Sequence, residues 1–241
     1  IGTSFEQYED VFLSGKLAGA YEEIDTESNA AASIKKMDGS FTNLDFSYGI
    51  ITDKRNQVFR PTSGYRSHFT QTLPLIMDSS SILNAFNVSA YRPLTENIVG
   101  QVKFLARSIH GLDNEDVRLT RRLFIPANRL RGFQTKKTGP KDGAEYVGGN
   151  YNYALGFEAK LPNLLPESTK TDISLFFDSA NVWHVDYSDE VENANKIRAS
   201  VGLAADVFTV VGPLSITIAQ DLSKATNDTT QTFNFKIGTS F

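Results

Sequence analysis

Leu44-Asp45-Phe46-Ser47-Tyr48-Gly49-Ile50 sets an apolar side chain at every second position, with Asp45, Ser47 and Gly49 between them. Successive side chains of an extended chain point to opposite faces, so this run is a strand with one apolar and one polar face. The same period recurs along the chain. Tyr65, Phe69 and Leu73 stand against Arg66, His68, Thr70 and Thr72; Val102, Phe104 and Ala106 stand against Gln101, Lys103 and Arg107. Tyr153, Leu155 and Phe157, then Ile173, Leu175 and Phe177, repeat it, as do Ala199 to Val207 and the closing Phe233, Phe235, Ile237, Thr239 and Phe241. No segment shows a convincing helical period. Tight connections (Pro93 to Asn97, Val211 to Pro213) alternate with long polar ones (Asp25 to Ser40, Asn181 to Lys196, Ser223 to Gln231).

Composition narrows the class. The 241 residues carry 24 Lys+Arg and 28 Asp+Glu, and a net charge of −4 offers no basic footprint for nucleic acid. The absence of cysteine excludes a disulfide framework, a thiolate zinc site and a cysteine nucleophile. His68, His110 and His184 leave little for a histidine-built metal centre, and no cofactor or enzymatic activity is expected. Seventeen Phe and nine Tyr against two Met favour strands over helices. No run reaches 18 apolar residues, which excludes a transmembrane helix. Mean hydropathy of −0.26 decides nothing further, because a membrane strand needs only about ten residues that are apolar on one face. The sequence opens at Ile1 with no charged n-region or apolar h-region, and we read that start as a cut.

Alternation alone fits a soluble sandwich or a lipocalin-like barrel equally well. The polar face is the discriminating one. It carries Asp, Lys, Arg, Asn and Glu and is otherwise small (Gly49, Gly156, Gly202, Ala204), whereas a soluble core needs its large apolar side chains inside. The expected fold is all-β, an antiparallel transmembrane β-barrel with about eleven or twelve strands in residues 1–241, read as a single domain. Leu44, Phe46, Tyr48, Leu155, Phe157, Leu175, Phe177, Phe233, Phe235 and Phe241 are expected to point outward.

The loop read from Ile109 to Gly149 carries, with Asn150 directly after it, the string RLFIPANRLRGFQTKKTGPKDGAEYVGGN from Arg122 to Asn150. It resembles the long loop of the BamA family, outer-membrane barrel assembly factors, whose hallmark is an Arg-Gly-aromatic tripeptide folded back into the lumen. Here that tripeptide is Arg131, Gly132 and Phe133, followed in the family's order by Gly139-Pro140 and Gly148-Gly149-Asn150. Further strings agree: DKRNQVFRPTSGYR from Asp53, FFDSANVW from Phe176, GPLSITIAQ from Gly212, and the terminal FNFKIGTSF. The resemblance implies the C-terminal part of a sixteen-stranded barrel, with periplasmic POTRA domains and about five barrel strands absent from this chain. It implies an integral protein of the Gram-negative outer membrane that folds and inserts β-barrel clients. The implied partners are unfolded outer-membrane clients, outer-membrane lipids and accessory assembly lipoproteins. A TamA-like or two-partner secretion transporter barrel is the alternative, and a passive porin or soluble ligand binder is a third reading.

Arg131 is a planar cation with a fork of donors; inside a barrel it needs carboxylates to offset desolvation. Parity puts Glu158 and Asp178 on the inward face of adjacent strands, with Gly156 and Ser174 leaving room for a loop. The resemblance adds Phe176 as the aromatic lining of that site. It also makes Phe233, Phe235, Ile237, Gly238 and Phe241 a C-terminal assembly signal. Competing readings are plainer. Glu158 and Asp178 could serve as an acid/base pair for glycoside chemistry, but no second catalytic string accompanies them. His68 and His110 read as ordinary polar positions, and Trp183 with Tyr187 as part of an interfacial girdle. Asp186, Asp189, Glu190 and Glu192 read as a solvated outer loop.

Overall fold

A computed structural model describes residues 1–78, 80–112, 116–161, 164–186, 191, 195–209 and 212–237. The chain enters through β1 (Gly2–Tyr8), β2 (Val11–Ile24), β3 (Gly39–Asp53), β4 (Gly64–Met77), β5 (Ser81–Thr95) and β6 (Ile98–Gly111). A long loop follows, holding the two-residue strands β7 (Lys141–Asp142) and β8 (Glu145–Tyr146). The sheet resumes with β9 (Tyr151–Leu161), β10 (Thr171–Trp183), β11 (Arg198–Thr209), β12 (Gly212–Ser223) and β13 (Phe233–Ile237). Eleven strands form one sheet in the order β1-β2-β3-β4-β5-β6-β9-β10-β11-β12-β13, and every pairing is antiparallel. The described residues contain no pairing between β1 and β13, so the sheet is not closed. Among the described residues no helix is long and apolar enough to cross a membrane, which has no bearing on strands.

The two faces invert the rule for soluble proteins. Along β10, Ser174, Phe176, Asp178 and Ala180 are buried while Leu175 and Phe177 are exposed. Tyr48, Ile50, Phe157, Leu203, Ile218, Phe233 and Phe235 are likewise exposed. Thirteen residues of β10, at about 3.3 Å each and a tilt of about 40°, rise roughly 33 Å, which spans the apolar band of about 25 Å. The outward apolar face is therefore a lipid-facing surface, and the concave polar face is a lumen.

What apolar core there is lies between the long loop and the strands it covers. Ile125, Leu130 and Phe133 of the loop cluster with Leu105, Ala154, Ala180 and Val182 of the wall. Val117 and Leu123 cluster with Ile109.

Connections at one end are mostly short and at the other mostly long, with exceptions at both: the β3–β4 and β9–β10 connections are the longer ones at the short-turn end, and the β4–β5 connection is short at the long-loop end. Residues 78–80 join β4 to β5 tightly at the long-loop end, while residues 54–63 form an extended hairpin at the short-turn end. That hairpin is ordered by Lys54 N–H to Tyr65 O (2.8 Å), by Asn56 N–H to Ser63 O (3.1 Å), and by Asn56 Oδ1 accepting from the amides of Thr62 and Ser63. From its tip Arg60 donates to Asp172 of β10 through Nε at 2.9 Å, reaching past β5, β6 and β9.

Candidate functional site

The loop between β6 and β9, described over residues 116–150, crosses the concave face and returns into β9, and arginines fix it at several points. Arg118 is 3% exposed, donates to Asn43 of β3, and lies 4.3 Å from the centroid of the Phe41 ring. Arg121 makes two 3.1 Å bonds to Asp45 of β3. Arg122 reaches the opposite side, to Asp186 beyond β10 at 2.7 Å. Arg129 donates to Asn87 of β5 at 2.6 Å. Strands that are not neighbours in the sheet are thus tied through one segment.

Arg131 stands at the centre. Its Nε and Nη2 donate to the two oxygens of Asp178 at 2.8 and 2.9 Å, and Nη1 donates to Glu158 Oε2 at 3.1 Å. The backbone N–H of Arg131 also donates to Asp178, at 3.0 Å. The guanidinium carbon lies 3.6 Å from the centroid of the Phe176 ring, so the cation is bonded in its plane and covered on one face. Both carboxylates are almost fully buried, with side-chain exposures of 5% for Glu158 and 2% for Asp178. Burial works against the charge on Arg131, yet its pKa is raised above the ordinary guanidinium value because Asp178 and Glu158 outweigh that cost. Lys103 of β6 also contacts Glu158, at 3.3 Å.

The strands place these groups by register. Phe176 pairs with Glu158, and Asp178 pairs with Gly156, so the carboxylates sit diagonally on adjacent strands facing the lumen. On the other side Phe176 pairs with Gly202. A Cβ at Gly202 would come within 2.7 Å of the Phe176 ring and 2.2 Å of Ile218 O, so the absent side chain is what admits the ring. Gly132 has φ +90°, and a Cβ there would approach that of Ala219 to 3.0 Å. The tripeptide turns against the wall where only glycine fits. Ser200 Oγ donates to Arg131 O, Gln231 N–H to Gly132 O at 2.8 Å, and Gln134 N–H to Thr229 O at 2.9 Å. The loop is thereby stitched to β11 and to the segment before β13.

The structure brings Arg131, Gly132, Phe133, Glu158, Phe176 and Asp178 to one place. Phe233, Phe235 and Ile237 lie apart, exposed on β13 and paired with Ile218, Ile216 and Leu214. Gly238 and Phe241 lie outside the described residues, as do Tyr187, Asp189, Glu190 and Glu192. Asp186 is held by Arg122 and by the amide of Val117 at 3.0 Å. Burial opposes its charge, but the Val117 amide, the Asn150 side chain and Arg122 together hold its carboxyl below the usual range. His68 shares a 2.9 Å hydrogen bond with Thr70, and Trp183 stacks on Tyr151 with centroids 5.7 Å apart. Among the described residues no group of three or more His, Asp or Glu is arranged to hold a metal ion.

Sequence reasoning missed several partners. Lys103 and Ser200 carry an inward parity that could have flagged them. Gly202 could have been found by extending the strand register across to Phe176. The buried pair of Arg198 and Asp228 (2.9 Å, 0% and 2% exposed) joins β11 to a loop with no local signal.

The descriptor of the Omp85 superfamily domain matches residues 2–241. The outer membrane protein assembly factor BamA of Neorickettsia risticii (strain Illinois) is 25% identical over 222 residues, covering 90% of this chain and 30% of that protein. The protein of the same name from Neisseria meningitidis serogroup B is 28% identical over 139 residues, covering 46% of this chain and 17% of that protein. The chain therefore spans less than a third of either relative. The crystal structure of BamA from Haemophilus ducreyi lacking POTRA domains 1-3 superposes with a TM-score of 0.83 at 20% identity, covering 97% of this chain and 52% of that one, a likeness of fold. With a barrel wall, a lumenal loop and a family match over nearly every residue, the chain belongs to the Omp85 superfamily and resides in the outer membrane.

Proposed function

We propose that this chain is the barrel region of an outer-membrane assembly factor that folds and inserts β-barrel proteins, acting without enzymatic chemistry. The observation that carries the reading is the lumenal lock, in which Arg131 engages Asp178 and Glu158 while its loop fills the concave face. A polypeptide passing through the lumen would have to displace that loop, which favours assembly at the wall over secretion through the pore. A strand edge can bond an incoming strand through main-chain groups whatever its sequence, and such pairing needs no nucleotide. The partners that follow are unfolded barrel clients, outer-membrane lipids and accessory lipoproteins. Residues 1–241 then form one barrel domain, in which Phe233, Phe235, Ile237, Gly238 and Phe241 serve as the chain's own assembly signal.

The test is reconstitution of the full-length protein in proteoliposomes with a urea-unfolded barrel client, followed by the client's heat-modifiable shift on gels. Faster client folding than in protein-free liposomes is expected, and slower folding with Arg131→Ala. Client folding at the protein-free rate, with export of a secreted polypeptide instead, would establish the transporter reading and overturn this one.

A further inference from the structure

The outward face of β3 to β6 breaks its own rule along one row. Register places Tyr48 beside Gln71, Gln71 beside Asn84, Asn84 beside Ser108, and Ser108 beside Tyr151, which in turn pairs with Trp183. These positions share parity with Ile50, Phe69 and Phe86 and so face lipid. The side chains bond one another in sequence. Tyr48 Oη donates to Gln71 Oε1 at 2.8 Å, Gln71 Nε2 to Asn84 Oδ1 at 2.6 Å, and Asn84 Nδ2 to Ser108 Oγ at 3.4 Å. Apolar residues rim the row, with Phe46 paired to Leu73 on one side and Ile50, Phe69, Phe86 and Ala106 on the other.

The row runs obliquely. It starts at Ser108, close to the outer end of β6, and reaches Gln71, which lies roughly 15 Å below the outer end of β4. Polar side chains facing hydrocarbon are costly and mark sites of interaction. The bonds within the row use only part of what each amide offers. Gln71 and Asn84 each keep a second N–H and further acceptor capacity, and a plain acyl chain satisfies neither. The outer end of the row meets a ring cluster, in which Tyr151 stacks on Trp183 and packs against His110 (5.3 Å) and His184 (5.4 Å).

We infer that this row is a binding groove for a glycolipid of the outer leaflet, with its sugar headgroup at the ring cluster and its amide or hydroxyl acyl linkages along Ser108, Asn84 and Gln71. The chemistry of the groove selects this occupant. Rings and exposed imidazoles suit the C–H faces and hydroxyls of a sugar. Uncharged amides suit linkage groups that lie below the headgroup, and a phospholipid with simple ester linkages brings no donor to that depth. The outer-leaflet position rests on the long loops facing outward, and the binding itself does not depend on client insertion.

The test uses the full-length protein in phospholipid nanodiscs containing a few per cent of a phosphorylated disaccharide lipid with amide-linked hydroxyacyl chains. Native mass spectrometry reads the lipid that stays bound on release. Wild type is expected to retain the disaccharide lipid, and Gln71→Leu/Asn84→Leu to retain about ten-fold less, as expected for losing several neutral hydrogen bonds. Both substitutions place an apolar side chain against lipid, and an unchanged heat-modifiable band verifies the fold. Leu203→Ala/Ile218→Ala, on the lipid-facing surface of β11 and β12 away from the row, should retain as wild type does. Equal retention by wild type and the row variant, or retention of phospholipid only, would overturn the inference. Loss of insertion activity with binding intact would instead count against the assembly reading alone.

Discussion

Replacing Arg131 by Ala removes the cation but leaves its two acceptors in place. The consequences for them differ. Glu158 keeps Lys103 at 3.3 Å, whereas Asp178, 2% exposed, retains from this site only the backbone amide of residue 131. Breaking a buried pair costs about 3 to 5 kcal/mol. Because the Arg131 side chain is itself 15% exposed and Glu158 has a second cation, the lower end applies, about 3 kcal/mol. At about 1.4 kcal/mol per factor of ten, the undocked loop becomes roughly a hundred times more populated. Proteolysis through a transiently opened state follows that population when reclosing is fast. Trypsin cleavage at Lys136 and Lys137, measured on the folded protein in nanodiscs, should accelerate by about that factor, with the strands still protected. Arg131→Lys should fall between, since an ammonium keeps the charge but cannot span both oxygens of Asp178 and reach Glu158. A cleavage rate for Arg131→Ala within about two-fold of wild type would show that the ion triad does not hold the loop.

Three further outcomes are expected. Gly202→Ala should destabilise by about 1–3 kcal/mol in urea titrations of the folded barrel, because its Cβ would stand 2.2 Å from Ile218 O and 2.7 Å from the Phe176 ring; unchanged stability would show that the ring does not need the vacant position. Asp186 has a folded pKa below its unfolded value of about 3.9, so its contribution is complete at neutral pH and is lost only as pH falls through the folded value, below about pH 4. Normalised hydrogen-exchange protection of the Val117 amide should follow that course and become flat in Asp186→Asn. On the proposed assembly signal, removing the Phe241 side chain (Phe241→Ala) should lower insertion of the protein into the outer membrane, read as less heat-modifiable band in membrane fractions; equal amounts would remove Phe241 from that signal.

The barrel was legible because its information is local. In β3 or β10 the side-chain period alone reveals which face meets lipid, and Leu44 to Ile50 suffices to read it. β2 was harder, since Gly15 and Gly19 stand opposite Tyr48 and Leu44 on the outward face and dilute the alternation. Gln71 and Asn84 were passed over for the opposite reason. They hold apolar parity with polar side chains, so a pattern search absorbs them as noise. The lock was legible only where a short string, Arg131 to Phe133, coincided with inward carboxylates. Arg121 with Asp45 and Arg198 with Asp228 join residues far apart in the chain, and nothing in either neighbourhood announces the other.

The loop that crosses the lumen also reports on the register of its wall. Hairpins zip from their turns, and a strand that pairs one residue out of step still satisfies its main-chain bonds while exchanging its two faces. In β10 such a slip would present Leu175 and Phe177 to the lumen in place of Phe176 and Asp178, and Arg131 would meet hydrocarbon where it now meets a carboxylate. The loop seats on a wall whose strands from β3 to β11 are in step, because its arginines and the Arg131 carbonyl meet that wall at separate stations. Docking of residues 116–150 therefore depends on a wall that is in step, since a shift of one residue in β3, β5 or β10 would turn Asp45, Asn87 or Asp178 away from the loop's arginines. Protease resistance of this loop is accordingly a readout of strand register as well as of the ion triad.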